Sequence, residues 1–246
     1  MIRGKYTDIA RLENHAAGAV TVRGFVRSNR NNGHLGFIDL NDGTRHSGAQ
    51  VVYEGDEKYV TGASIEVRGE LVFTPEARQP FEIRAEEIKL IGDCDTDFPM
   101  QKKRHSLEFM REIPHLRTRT NTFSALFRVR NALSMAIHEY LQSDGFMYVA
   151  APILTGNDAE GAGETFGVST SGGAEEFFGK RAVLTVSGQL HVEPFALAYD
   201  KAYTFGPTFR AENSNTTTHA AEFWMIEPEI NWADLEDDMA VMEGLV

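Results

Sequence analysis

The sequence predicts an α+β chain of two domains, a small closed β-barrel of five short strands followed by a mixed helix-and-strand domain. Three observations carry this. Residues 17–90 show short apolar–polar alternations cut by turn signals, residues 123–141 show helical spacing, and further strand-like runs follow that helix. A chain of 246 residues, 42% hydrophobic and 24% charged, is long enough to bury two cores.

Taken in order, residues 20–26, 65–71 and 81–84 alternate. Turn signals separate them: Asn31-Asn32-Gly33, Asn41-Asp42-Gly43 and Glu54-Gly55-Asp56. About five strands in about 80 residues fit a small closed barrel, of which the OB-fold is the commonest five-stranded form; a small sandwich would read similarly. Residues 92–122 are polar and charged, and Pro99 and Pro114 interrupt any long helix, so this stretch reads as a linker with a short helix at 106–111. The next helix carries Leu126, Val129, Leu133, Ala136, Ile137 and Leu141 on one side. Residues 145–154 read as a strand interrupted by Pro152, and 181–186, 201–205 and 223–230 as further strands. Residues 239–246 are helix-like without a stop signal, so the chain reads as cut off. The expected domains are 1–92, a hinge at 93–122, and 123–246.

Composition narrows the function. No apolar run reaches the ~18 residues of a membrane span. Residues 1–5 lack the apolar core of a secretory signal, and the single cysteine, Cys94, allows no internal disulfide or multi-thiolate metal site. A cytoplasmic protein is expected. The net charge of −12 is uneven: residues 1–104 hold fifteen Lys and Arg against sixteen Asp and Glu, and residues 105–246 hold nine against twenty. Specific nucleic-acid binding needs a local basic face only. Lys102, Lys103, Arg104, Arg111, Arg117 and Arg119 offer one, unless they are simply a solvated surface.

The most informative segment is Phe205-Gly-Pro-Thr-Phe-Arg-Ala-Glu-Asn-Ser-Asn-Thr-Thr-Thr-His-Ala-Ala-Glu-Phe-Trp-Met-Ile-Glu-Pro-Glu229. A strand through it would turn Arg210 and Glu212 to one face. By itself that pair reads equally as a cross-strand ion pair. The whole segment, however, resembles motif 2 of the class II aminoacyl-tRNA synthetases in its asparaginyl wording. Gly145-Phe-Met-Tyr-Val-Ala-Ala-Pro152 resembles motif 1, the element at that family's dimer interface. Asp158-Ala-Glu-Gly-Ala-Gly-Glu164 resembles the loop that closes over the amino acid, and Leu184-Thr-Val-Ser-Gly-Gln-Leu190 the strand flooring its pocket. Leu35-Gly-Phe-Ile-Asp-Leu-Asn-Asp-Gly43 and Gln50-Val-Val-Tyr53 resemble the anticodon-binding barrel.

The resemblance implies an OB-fold anticodon-binding domain, a partial class II antiparallel-sheet catalytic domain, and a two-step ligation. Asparagine would attack the α-phosphate of ATP, and tRNA(Asn) would then accept the acyl group. Arg210 and Glu212 would be catalytic. Arg210, Glu212, His219 and Phe223 would hold ATP, and Glu160, Ser187, Gln189 and Glu227 the amino acid. Arg27, Arg30, Phe37 and Gln50 would read the anticodon. Phe37 reads equally as a core aromatic; alternation sets it opposite Ile38, so one of the two faces outward, and the resemblance selects Phe37. Mg²⁺ is the expected counter-ion, with its usual ligands outside these residues, and a homodimer through motif 1 is the expected assembly.

Two positions bear on the amino acid. The aspartyl enzymes carry a lysine three residues after the pocket glutamine, where this sequence has Val192, and an Asp where it has Glu227. A valine cannot neutralise an aspartate side chain, and a carboxylate repels one while accepting from an amide. The sequence departs from the family pattern in Thr218, where an Arg usually precedes the His, in Asn157-Asp158-Ala159, where Ser-Asp-Cys is usual, and in lacking motif 3. An RNA-binding or regulatory module and an aspartyl enzyme are the competing readings.

Overall fold

The computed structural model describes residues 5–77, 79–159, 161, 164–173, 176, 177 and 179–246. The chain divides into two compact units, Met1–Arg130 and Asn131–Val246.

In the first unit a 3₁₀ helix, Ile9–Asn14, precedes five strands: β1 (Gly18–Asn31), β2 (Leu35–Asn41), β3 (Ala49–Glu54), β4 (Ser64–Phe73) and β5 (Phe81–Gly92). They close as β1-β2-β3-β5-β4, antiparallel except for the β3–β5 pair, which excludes the sandwich. The alternation read from the sequence fills the interior. Val22, Ile38, Leu40, Val51, Ile65, Val67, Leu71 and Ile83 are fully buried, and Ile9 and Leu12 join them from the 3₁₀ helix. The three turn signals contain Gly33, Gly43 and Gly55, all at positive φ, where a side chain would be strained.

Three helices follow: α1 (Leu107–Glu112), α2 (Pro114–Arg117) and α3 (Asn121–Ser143). Ser106 caps α1 by accepting the Phe109 amide at 3.2 Å. The basic cluster and its neighbour Arg128 are partly packed within the first unit. Arg119 lies 4.3 Å over the Phe25 ring, Arg117 lies 5.0 Å over Phe123, and Arg128 Nη2 donates to the Gly43 carbonyl at 2.7 Å.

The second unit holds the short strands β6 (Met147–Tyr148), β7 (Leu154–Thr155), β8 (Gly167–Val168) and β9 (Glu176–Phe177). The longer elements are β10 (Lys180–Leu184), α4 (Gln189–Tyr199), β11 (Lys201–Phe209), β12 (Glu222–Ile230) and α5 (Leu235–Leu245). Strands β12-β11-β6 form one sheet; β10 pairs with β7, β8 and β9. Pro152 splits the expected 145–154 strand into β6 and β7. Beneath the sheet, fully buried Tyr203 receives Gln142 Nε2 on its hydroxyl at 3.2 Å and meets His138 Nδ1 at 2.6 Å. Leu141, Phe146 and Phe205 pack around it.

Two expectations are corrected. The pocket-floor strand ends at Leu184, and Gln189 and Leu190 open α4 instead. Helix α4 holds Pro194 in its interior and there forgoes one backbone hydrogen bond. Its apolar Val192 and Ala196 are buried with Val149 and Ala202. Likewise β11 stops at Phe209, so Arg210 and Glu212 lie just past the strand. The Arg210 amide makes one more bond, to Ala221 O at 3.0 Å, before the Ala211 amide turns away to Glu164 O at 2.8 Å.

Candidate functional site

The second unit brings three segments together around Glu227. The side chain of this residue stands on β12, opposite Thr204 of β11 in the antiparallel register. The residues after β10 are drawn alongside: the Thr185 amide donates to Ile153 O and the Thr185 carbonyl accepts from the Phe209 amide. Thr185 Oγ1 then donates to the Ser187 carbonyl, fixing the turn into α4. Glu227 accepts the Ser187 hydroxyl on one oxygen and the Gly188 amide on the other at 3.0 Å. Ser187 Oγ in turn accepts the Gln189 amide at 3.0 Å. Each bond to an ionised carboxylate contributes about 1.5–3 kcal/mol, so Glu227 fixes this turn firmly.

Gly188 is what allows the approach. A Cβ on it would stand 2.6 Å from Thr204 Cγ2 and 3.4 Å from both Ala151 Cβ and Glu227 Oε1. Gln189 Nε2 donates to Glu193 Oε1 one helical turn on at 3.0 Å. Glu229 lies two residues along β12 from Glu227 and therefore on the same sheet face. Burial pushes its carboxyl above the usual range, and the neighbouring negative charges of Glu193, Glu227 and Asp238 push it the same way.

Arg210 and Phe223 also meet, with the guanidinium 5.4 Å over the ring. Arg210 Nε is buried and has no hydrogen-bond partner among the described residues. A buried guanidinium donor left unmatched is costly, and an anion is its natural partner. Glu212 and His219 are exposed in the connection between β11 and β12, where His219 Nδ1 meets Thr216 Oγ1. Glu160 lies outside the described residues. Val192 is fully buried in the core under α4, an apolar neighbour without charge.

In the first unit a pocket of about 490 Å³ opens on the barrel, lined by Arg27, Arg30, Phe37 and Gln50 together with Lys102 and Asn121. The structure thus brings the four barrel residues singled out above into one site. Phe37 is half-buried outside the barrel and Ile38 fully buried within it. Arg30 stands 5.8 Å from the Phe37 ring centre, and Gln50 Nε2 donates to Glu82 across the parallel pair at 3.3 Å. Arg27 Nη2 is engaged by the Arg119 carbonyl at 2.6 Å and Asn121 Oδ1 at 2.7 Å. Stacking surface, amide and guanidinium groups in one pocket suit unstacked bases and phosphates.

Sequence reading assigned no role to Gly188, Glu193, Glu229 or Asn121; Lys102 it placed in the basic cluster, and the structure sets it in the barrel pocket. Glu229 carried a usable signal, its two-residue spacing from Glu227. Glu193 and Gly188 carried none without the helix start at Gln189.

Residues 106–246 match the family model described as tRNA synthetases class II (D, K and N), and residues 20–91 match the OB-fold nucleic acid binding domain. The chain belongs to the class II tRNA synthetases. Within that family it is 51% identical over 245 residues to an asparagine–tRNA ligase of Desulfitobacterium hafniense, covering 92% of this chain and 53% of that protein. It is 52% identical to the asparagine–tRNA ligase of Acholeplasma laidlawii, covering 100% of this chain and 57% of that protein. The chain thus spans about half the length of the curated relatives it matches. Among solved structures, the asparaginyl-tRNA synthetase of Pyrococcus horikoshii complexed with asparaginyl-adenylate superposes with a TM-score of 0.86 at 30% identity, over 99% of this chain and 57% of that one.

Proposed function

We propose that this chain is the anticodon-reading barrel and motif 1–motif 2 part of an asparagine–tRNA ligase. The reaction is assigned to a protein of its relatives' full length, with residues 1–92 as the anticodon-binding domain, 93–122 as hinge and 123–246 as the catalytic part. The observation that carries the reading is Arg210, whose buried Nε lacks a partner beside an aromatic face.

Class II synthetases use ATP, and the roles follow from chemistry. The carboxylate of asparagine attacks the α-phosphorus; the bond to the bridging oxygen breaks and pyrophosphate leaves with its electron pair. Arg210 steadies the charge that grows on the α-phosphate, which its planar, permanently charged fork suits. Phe223 stacks on adenine, His219 meets the outer phosphates, and Glu212 helps to set ATP or the acceptor end. The rest is positioning. Glu160, Ser187 and Gln189 surround the α-ammonium, and Glu227 accepts from the side-chain amide. A tRNA 3′-terminal hydroxyl then takes the acyl group and AMP leaves.

The substrate assignment rests on Glu227 and Val192. A carboxylate beside the side-chain end repels aspartate, and no cation is supplied at the Val192 position to offset it. Mg²⁺ is the expected counter-ion of the triphosphate; among the described residues no group of three His, Cys, Asp or Glu could hold a metal ion.

The barrel pocket is proposed to read the anticodon of tRNA(Asn), with Phe37 stacking on a base, Gln50 bonding its edge, and Arg27 and Arg30 at phosphates or bases. A homodimer through the motif 1 region, residues 145–152, is proposed on the apolar side chains exposed there, Met147 and Tyr148. Work in the cytoplasm suits an enzyme of translation; among the described residues no helix is long and apolar enough to cross a membrane.

The test is ATP–pyrophosphate exchange by the full-length protein. Exchange should depend on asparagine and be nearly absent with aspartate. Comparable kcat/KM for the two amino acids would overturn the substrate assignment.

A further inference from the structure

We propose that Glu193 is a positioning residue that fixes which end of the Gln189 amide faces the substrate. The proposal rests on the reading of Gln189 as a ligand of the substrate's α-ammonium. A primary amide presents a donor at one end and an acceptor at the other, and only the acceptor end can bind an ammonium. Nothing in the shape of the side chain chooses between the two. The neighbours must.

Here they do. Glu193 lies one turn along α4 from Gln189 and holds Nε2 at 3.0 Å. An ionised carboxylate has no proton to give, so it binds the NH₂ end alone. That leaves the carbonyl oxygen of Gln189 turned away from Glu193, and no described residue donates to it. The backbone of Gln189 is held independently, by its amide bond to Ser187 Oγ and through Ser187 to Glu227. Main chain and side-chain orientation are thus fixed from opposite sides, by β12 and by α4. Glu193 is exposed, and its charge is among those that raise the Glu229 carboxyl on the strand face that carries Glu227. The alternative is an ordinary helix-surface pair four residues apart, worth a few tenths of a kcal/mol in helix stability and nothing in binding.

The experiment uses the full-length protein, reading KM for asparagine and for ATP in pyrophosphate exchange alongside the melting temperature. Glu193→Ala should raise the asparagine KM about threefold to tenfold, a part of one charge-assisted hydrogen bond, because the amide is then free to turn but still present, and leave the ATP KM and melting temperature unmoved. Glu193→Lys, which offers only donors, should raise it further because it holds the amide the wrong way round. Glu193→Gln still offers an oxygen and should restore most of the loss. In a Gln189→Ala background, Glu193→Ala should add nothing. Additive losses, or an unchanged asparagine KM in Glu193→Ala while Gln189→Ala raises it, would overturn the proposal alone. An unchanged KM in Gln189→Ala itself would overturn the reading of Gln189 beneath it.

Discussion

Replacing Glu227 by Gln separates the two jobs that converge on this side chain. As a carboxylate it accepts the Ser187 hydroxyl and the Gly188 amide. A glutamine of the same shape can retain both contacts, its oxygen accepting from Gly188 and its NH₂ donating to Ser187 Oγ, which can accept. Charge-assisted bonds contribute about 1.5–3 kcal/mol and neutral ones about 0.5–1.5, so two of them cost about 1–3 kcal/mol together. A domain stable by about 5–15 kcal/mol survives that. The effect on substrate choice is larger. Two unit charges about 4 Å apart interact by about 4 kcal/mol in a partly screened site, so removing one changes discrimination between asparagine and aspartate by about 10²–10³-fold. Asparagine should lose kcat/KM because its amide now meets a donor, while aspartate gains without becoming a good substrate, since Val192 still supplies no cation. Competing exchange rates for both amino acids, with a melting curve as the folding control, give the ratio directly. A folded variant with an unchanged ratio would mean that Glu227 only holds the 187–188 turn, and the substrate argument would lose its main support.

Gly188→Ala should weaken asparagine binding and lower stability by about 1–3 kcal/mol, because its φ of −84° suits alanine and the cost is purely the 2.6 Å approach to Thr204; unchanged melting and KM would show that the turn has room. Phe37→Ala should cut tRNA charging by the about 1–3 kcal/mol of one stacked base while leaving pyrophosphate exchange nearly intact, and equal loss of both would make Phe37 structural. Glu229 yields a pH signature. Its carboxyl is raised in the folded state, so the native protein holds that proton more tightly than the unfolded chain. Stability from this group is full below the ordinary carboxylate value of 4.5 and is lost as pH rises through the raised one. Glu229→Gln should therefore melt higher than the parent at neutral pH and no higher near pH 4, and a pH-independent difference would refute it.

The barrel was legible because both signals it depends on are local. Alternation names the inward residues, as with Ile38 against Phe37, and glycine names the turns, as at Gly33 and Gly43. The long helix and β12 were legible for the same reason. The pocket floor was not. Residues 181–186 read as strand and nothing local marks its end at Leu184; the turn into α4 is held by the Glu227 contact to the Gly188 amide from 39 residues away. A long-range bond of that kind leaves no periodicity. The exposed apolar side chains misled in a different way. Leu126 and Val129 were read as one face of a packed helix, yet both are exposed, since helical spacing reports amphipathicity and not which partner covers it.

The same geometry explains why the site needs Gly188 and Glu227 as a pair. The α4 start can come against β11 only where residue 188 has no side chain, and once there its amide points at a half-buried carboxylate that needs donors. In the proposed function Glu227 supplies the charge that selects an amide substrate, and the turn supplies two donors that keep that charge tolerable out of water. If either partner is lost, the other becomes a liability: an unsatisfied carboxylate on β12, or an unheld turn before α4. Losses from Gly188→Ala and Glu227→Gln should accordingly fall short of additivity in a double variant, because the second change removes a contact that the first has already weakened.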